Sequence, residues 1–377
     1  MQTTNYVDIM EKNHMEIPWH DYANDDSNVL IAEAGLIEKA SVIGRVGLIM
    51  LSCGTGAWRV RTSMNRLSKE LGVTCTVDVG LMSIVFNCFY GNDCISQSLS
   101  IANTGVNTSK LYRMEQFVDH FPEEEAHMTG EDIHKRLDEI EEIHALYSPA
   151  KLGLAAALAC CGFTFLLGGG PIEMMLAFIT SGIDLAKLDL RSGLERLTYA
   201  IIIVMVATLF AWIMALFLHL KPADFTALHL SAAARLIFRV ITSFCGVFGF
   251  SIMFNSSYSM AATAAFISAI ANTFRLELVD FTHIPPAAAA FIGALTAGLL
   301  ASFIKKSNGY PRISLTVPSI VIMVPGLYLY RAIYNFGIMS LTDAVSWFTS
   351  AIMIIVMLPL GLIFARILTD HTFRYCT

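Results

Sequence analysis

Eight apolar segments, at about residues 150–167, 171–186, 197–219, 233–254, 257–273, 285–304, 313–334 and 344–368, fill most of the chain from residue 150 onward. Nothing else confines the fold as much. A bilayer core takes about 20 apolar residues per helix, and hydrocarbon tolerates no unsatisfied backbone, so such segments must be helical spans. The segment at 171–186 is the shortest and carries Glu173 and Asp184 at its ends.

The chain ahead of these segments is of another kind. Residues 1–148 hold 11 Lys/Arg against 22 Asp/Glu, net −11, and the other 229 residues hold 14 against 9, net +5. With 55% hydrophobic and 15% charged residues overall, the chain joins a soluble acidic part to a membrane part. That balance excludes nucleic acid as a partner. Eight scattered cysteines without a Cys-x-x-Cys pair suit a reducing compartment. Asp8, Glu11 and Glu16, with no apolar core before Val29, do not form a secretory signal.

The expected fold class is a polytopic α-helical membrane protein with an N-terminal cytoplasmic α/β domain. Its expected parts are a flexible arm over 1–28, the α/β domain over 29–148, a first transmembrane domain over 149–222 of about three helices, and a second over 223–377 of about five. In the α/β domain, Leu36, Ala40, Ile43, Gly47 and Met50 share a helix face, and Val60, Met64, Leu67 and Leu71 continue it after Gly54-Thr-Gly56. Val73, Cys75, Val77 and Val79 then alternate with polar residues, predicting a strand. Residues 81–90 read as a buried strand and 95–101 as a third. Asn107 or Thr108 caps a helix through Phe121, and Ile133, Leu137 and Ile140 mark a last amphipathic helix.

The segment at 313–334 is interrupted. Pro318 and Pro325 lie on nearly one helix face, and each removes an amide donor and crowds the carbonyl four residues back, which is expected to free the acceptors of Ser314 and Val321. Such a break is tolerated only where protein covers it or it lines a wet cavity, and transporters place breaks where substrate binds. Asn255, Ser319, Pro325, Gly326, Tyr328, Tyr330 and Arg331 are the expected substrate contacts. Glu173, Asp184 and Asp280 are the candidates for carrying protons. In the soluble part, Gly54, Trp58, Arg59 and Asn107 are read as a ligand or interface contact at a new helix start, against the plainer alternative of a glycine kink beside a solvated arginine.

No cofactor and no metal site is expected. His120, His127, His134 and His144 are spaced by 7, 7 and 10 residues, which fits a solvated acidic helix and not a helical metal site. No nucleophile constellation stands out, so the protein is not read as an enzyme. Small residues at i, i+4, Gly293-Ala297-Ala301 and Ala290-Ala294-Gly298, read as close helix packing.

Gly54 to Val60 with Met64 and Leu71-Gly72, then Gly105-Val106-Asn107 before a helix, resembles the cytoplasmic domain of the threonine/serine exporter family. Gly249-Phe250 to Phe254-Asn255, Phe291 to Ala294, and Val324-Pro325-Gly326 with Tyr330-Arg331-Ala332 resemble its smaller, second membrane domain. The resemblance implies an inner-membrane exporter of threonine and serine, using the proton gradient. Its alternatives are a dicarboxylate exporter of the same architecture, with Arg239 and Arg331 as paired cations, or a membrane-tethered enzyme near Arg59. Expected partners are an amino acid or dicarboxylate, membrane lipid, and a second copy of the chain. Lysine and arginine asymmetry, nine inner against five outer, predicts that both termini face the cytoplasm.

Overall fold

The computed structural model describes residues 17, 19, 20, 28–80, 82–101, 104–143, 146–171, 174, 175, 177, 178 and 230–370. They fall into two compact units, which divide near residue 144.

The first unit is built around helix α1 (Leu36–Ser52), of whose 17 residues 13 are buried, so it is covered on every side. Helix α2 (Ala57–Glu70) follows the Gly54 turn, and strands β1 (Thr74–Val79), β2 (Ser83–Tyr90) and β3 (Asp93–Ser100) form an antiparallel meander in that order. Cysteines 75 and 88 face each other across β1 and β2. The sheet lies close to α1 because α1 offers glycine there. A Cβ on Gly44 would meet Phe86 and Leu99, and one on Gly47 would meet Met64 and Ile84.

The strand expected to be buried throughout is instead half-buried. Ile84, Phe86 and Cys88 face the core, while Val85 and Phe89 are exposed. The outer face is held by a polar ladder in which Asn87 donates to Thr76 at 3.3 Å and accepts from Ser96. Helix α3 (Thr108–Glu124) is capped by Asn107, whose side chain accepts the Lys110 amide at 3.0 Å. Helix α4 (Gly130–Glu141) is capped by Thr129. These short polar caps satisfy donors that each helix start leaves open.

Two further expectations change in this unit. His134 is not solvated; it is buried on α4 beside Glu38, Ser41 and Arg45 of α1. And within the segment read as a flexible arm, Trp19 is buried and stacks on His134, while His20 bonds Glu131 at 3.2 Å and Asp138 at 2.8 Å. The bond to Glu131 is the main cause that raises the His20 pKa above its ordinary value; burial opposes it and Asp138 adds to it. Lys135 and Arg45 hold the same two carboxylates from the other side. Because the folded pKa is raised, the contribution of this contact is fully present below about pH 6.5 and lost as pH rises through the raised value. The melting-temperature difference between wild type and His20→Ala is therefore expected to shrink between pH 6 and pH 8. A difference that is flat over that range would show that the imidazolium is not what docks the segment.

The second unit is helical. Helix α5 (Pro149–Leu166) packs on α6 (Ala232–Met253), which pairs with α7 (Tyr258–Thr282); α8 (Pro286–Asn308) and the broken pair α9 (Arg312–Val321) and α10 (Gly326–Gly337) follow, and α11 (Leu341–Thr369) closes the bundle against α8 and α10. Among the described residues five spans are long and apolar enough to cross a membrane, counting 312–337 as one, and α5 is a shorter apolar helix. Of the segments at 171–186 and 197–219, nearly all residues, Glu173 and Asp184 included, lie outside the described ones.

The small-residue rows do pack closely. Ala290, Ala294, Ala297 and Ala301 are fully buried, and a Cβ on Gly361 of α11 would press on the Phe291 carbonyl and Ala294 of α8. Without a hydrophobic force between helices in lipid, close backbone approach is what such an interface gains.

Helix α7 departs from the expected segment. It does not stop near Thr273 but runs to Thr282, carrying Arg275, Glu277 and Asp280 in its last turns. The apolar pattern ends where these charges begin, which hides the continuation from a hydropathy reading. Of these, Glu277 and Asp280 are paired with arginines of α6, described below.

Candidate functional site

The break is real and more complete than two prolines alone would give. Helix α9 stops at Val321, residues 322–324 form a turn, and Pro325 is the buried N-cap of α10. The Val321 carbonyl, expected to be free, accepts the Val324 amide at 3.2 Å, and the Ile320 carbonyl accepts the Met323 amide at 2.9 Å. The turn thus recovers hydrogen bonds that a kinked continuous helix would have left open. Helix α9 has only 10 residues, about 15 Å of rise, which sets the turn near mid-depth of a span.

Beside this turn lies a polar stretch of α7. On α7, Ser268, Asn272 and Thr273 are buried. Ser268 donates to the Ser319 carbonyl at 3.1 Å, and Ser319 donates to the carbonyls of Ala264 and Leu315 at 3.0 and 2.6 Å. Asn272 donates to Ser243 of α6 at 2.9 Å. Arg275 reaches the Met323 carbonyl of the turn at 3.5 Å and lies within electrostatic range of Tyr328 and Arg239. Within this one turn of α7, Asn272 Oδ1, Thr273 Oγ1 and Arg275 Nε have no hydrogen-bond partner among the described residues. Each such buried group costs about 1–3 kcal/mol, so three together need a reason.

A second cluster closes the end of the α6–α7 pair. Arg239 is bonded to Glu277 and to Asp280, both at 2.8 Å, and Arg235 approaches Asp280 at 3.7 Å. Arg239 therefore does not snorkel away from the bundle; it holds two carboxylates. Glu277 also borders an open groove of about 520 Å³ between α6 and α7, lined by Phe244, Phe266, Ile270, Phe274 and Thr273.

The expected substrate contacts are only partly brought together. Tyr328 and Arg331 of α10 converge on Trp347 of α11, the tyrosine edge-on at 5.4 Å and the guanidinium over the ring at 4.6 Å. Tyr330 stacks on Tyr334 instead. Gly326 starts α10 near Phe163. Ser319 is buried with its hydroxyl engaged in helix packing. Asn255 lies at the far end of α6 from Arg239, in the left-handed conformation, φ 57°, and accepts the Leu146 amide at 2.7 Å. It joins helix ends.

In the first unit, the four proposed contact residues do cluster. Gly54 has φ 75°, and a Cβ there would meet the Gly105 carbonyl; the Asn107 amide bonds the Cys53 carbonyl at 3.4 Å. Arg59 pairs with Glu115 of α3, and Trp58 is half-buried on the same turn. The cluster joins α1, α2 and α3.

Elsewhere in the first unit a serine and a histidine meet, Ser41 Oγ to His134 Nε2 at 3.0 Å. Their hydrogen bonds run the wrong way for a nucleophile and base. Arg45 donates to His134 Nδ1 at 3.2 Å, which leaves the proton on Nε2, and Ser41 donates to the Glu38 carbonyl at 2.8 Å. A general base must accept at the nitrogen that faces the hydroxyl.

Sequence reasoning missed Arg275, Glu277 and Trp347. Arg275 and Glu277 were obscured by ending the span early; Trp347 carries no signal of its own until α10 and α11 are placed side by side.

Five spans among the described residues, long and apolar enough to cross a bilayer, mark an integral membrane protein. Residues 41–183 match the ThrE family model, described as "Putative threonine/serine exporter", and residues 239–368 match ThrE_2, described as "Threonine/Serine exporter, ThrE". The chain belongs to the threonine/serine exporter family and carries two domains related to it. No curated protein and no solved structure matches it.

Proposed function

We propose that this protein is a proton-coupled secondary exporter of small polar amino acids, threonine and serine foremost, across the cell membrane, with the first unit in the cytoplasm and the protein working as a homo-oligomer. The observation that carries the reading is the single turn of α7 with three unpartnered polar atoms, set against the turn that breaks a span. A zwitterion supplies what that turn lacks. Its carboxylate suits the Arg275 guanidinium, and its ammonium and hydroxyl suit Asn272 Oδ1, Thr273 and the carbonyls of the 322–324 turn. Protons are assigned to Glu277 and Asp280, whose pairing with Arg239 can be opened by protonating one of them.

The dicarboxylate alternative called on Arg239 and Arg331 as a pair of cations. Arg239 is committed to two carboxylates of the protein itself and Arg331 to Trp347, so a zwitterion is favoured. The enzyme alternative placed chemistry near Arg59, which is taken up by Glu115.

Efflux of labelled threonine, serine and succinate from loaded proteoliposomes, with and without an imposed proton gradient, is the direct test. Gradient-dependent efflux of threonine and serine is expected. Efflux of succinate alone would replace this reading with the dicarboxylate one, and no efflux of any of them would remove it. Pro325→Ala belongs in the same assay. It restores an amide donor and an α-helical preference at the cap of α10, which favours a continuous helix through 322–325 and closes the turn that Arg275 faces. Several-fold slower efflux at an unchanged folded yield is expected; an unchanged rate would show that the turn does not depend on this proline.

A further inference from the structure

Cys75 of β1 and Cys88 of β2 stand directly opposite each other in the register, with their Sγ atoms 3.3 Å apart and both thiols free. Their place in the ladder suits a bond between them. The Gly80 amide bonds the Ser83 carbonyl at 2.8 Å, which makes 80 and 83 a hydrogen-bonded pair at the hairpin, and pairing runs without a slip from Val79 and Ile84 to Thr74 and Phe89. Hydrogen-bonded and non-hydrogen-bonded pairs alternate along such a ladder, so 75 and 88, an odd number of steps from 80 and 83, form a non-hydrogen-bonded pair. There the Cα atoms lie about 4.5 Å apart, within the span of a disulfide.

The two thiols are unequal. Cys88 is fully buried on the core face of the sheet, whereas Cys75 is half-buried on an outer strand, since among the described residues β1 pairs with β2 alone. The Cys88 thiol donates to the Cys75 sulfur. That bond is the main cause that lowers the Cys75 pKa, with burial opposing it, and the first of the causes that raise the Cys88 pKa. Cys75 is thus the sulfur that an oxidant can reach and the one that ionises more readily, and Cys88 is the protonated neighbour placed to follow it.

We propose that Cys75 and Cys88 are a reversible dithiol–disulfide pair, closed by a hydroperoxide, that locks the outer strand β1 to the centre of the sheet. The Cys75 thiolate attacks one peroxide oxygen and the O–O bond breaks. The departing oxygen takes up the proton that the thiol gave up, which leaves Cys75 as a sulfenic acid and, from hydrogen peroxide, releases one water. Cys88 Sγ then attacks Cys75 Sγ while its own proton passes to the departing hydroxyl; the S–O bond breaks, the S–S bond forms and a second water leaves. The two thiols lose two electrons and the peroxide gains them. An external dithiol reverses the bond by exchange. In a reducing compartment, which the cysteine pattern suits, the pair rests as the dithiol and closes only on oxidation. The pair lies wholly within the first unit, so the inference stands whether or not the transport reading holds.

The test is to treat the full-length protein in detergent with hydrogen peroxide, quench, alkylate in denaturant and map the peptides by mass spectrometry. A peptide pair joined at Cys75 and Cys88 is expected, lighter than the dithiol by the two hydrogens lost, and dithiothreitol should return both residues to thiols that alkylate. Both should be lost about tenfold or more faster than Cys53, a buried thiol pushed up to about 11 chiefly by that burial. In Cys75→Ser, Cys88 should still alkylate at the dose that closes the wild-type pair. Hydrogen exchange of β1, Thr74–Val79, should be about threefold or more slower in the oxidised form than in the reduced one. Cys75 recovered as a sulfinic acid beside an alkylated Cys88, Cys75 joined to Cys94, or both thiols lost no faster than Cys53 would overturn the pair, and equal exchange in the two forms would overturn the lock. The wild-type map decides the matter even if Cys75→Ser fails to fold.

Discussion

Glu277→Gln is expected to abolish the response of efflux to a proton gradient while leaving exchange of labelled for unlabelled threonine intact. The two activities separate because exchange needs only that the loaded carrier reorient, whereas gradient-driven flux needs a group that gains and loses a proton in each cycle. Glutamine keeps the size and hydrogen-bonding capacity of the side chain and removes only its titration. The variant should also remain folded, since Arg239 keeps Asp280 at 2.8 Å when Glu277 is neutralised. The contrasting change is Arg239→Ala. It leaves two part-buried carboxylates facing each other with only the more distant Arg235 near them, and stripping one partner from such a group costs about 3–5 kcal/mol. Folded yield should therefore collapse for Arg239→Ala and hold for Glu277→Gln. Gradient-driven efflux that survives in Glu277→Gln at matched protein would leave Asp280 as the remaining described candidate, to be tested by Asp280→Asn.

The first unit was readable wherever one physical signal acted alone. Alternation at Val73 to Val79 gave the first strand, the two glycines after Ser52 gave the helix break, and Asn107 gave a cap. What failed was burial, because a single periodicity describes one face only. Helix α1 shows a clear apolar stripe, yet Glu38, Lys39 and Arg45 on its other faces are also buried: α4 and Trp19 lie against Glu38 and Arg45, and the Tyr90 ring of β2 lies against Lys39. For the same reason His134 looked solvated: its partners lie some 90 residues earlier. In the membrane half, hydropathy located the spans and proline located the break. It could not extend α7 beyond Thr273, because an ion pair between two helices is invisible until the helices are set side by side. Glu277 reads as the end of a span only as long as Arg239 is not known to face it.

Arg275→Ala is expected to cut threonine efflux by about 30-fold or more. If the guanidinium meets the substrate carboxylate in a cavity closed off from water, removing it leaves that carboxylate unpaired, and the loss of one partner of a desolvated charge pair costs about 2–5 kcal/mol, which is about 30- to 5,000-fold. Arg275→Lys keeps the charge but loses the planar fork that can hold a carboxylate and the Met323 carbonyl together, so it should recover only part of the activity, chiefly as a raised KM. The order wild type, lysine, alanine is what distinguishes substrate binding from packing. Gly293 packs on the Cβ and Cγ of Arg275, contacts that lysine reproduces fully and alanine loses in part. A packing role would therefore give a lysine variant equal to wild type in both rate and KM, and that result would move the carboxylate site to Arg331, the other arginine beside the broken helix.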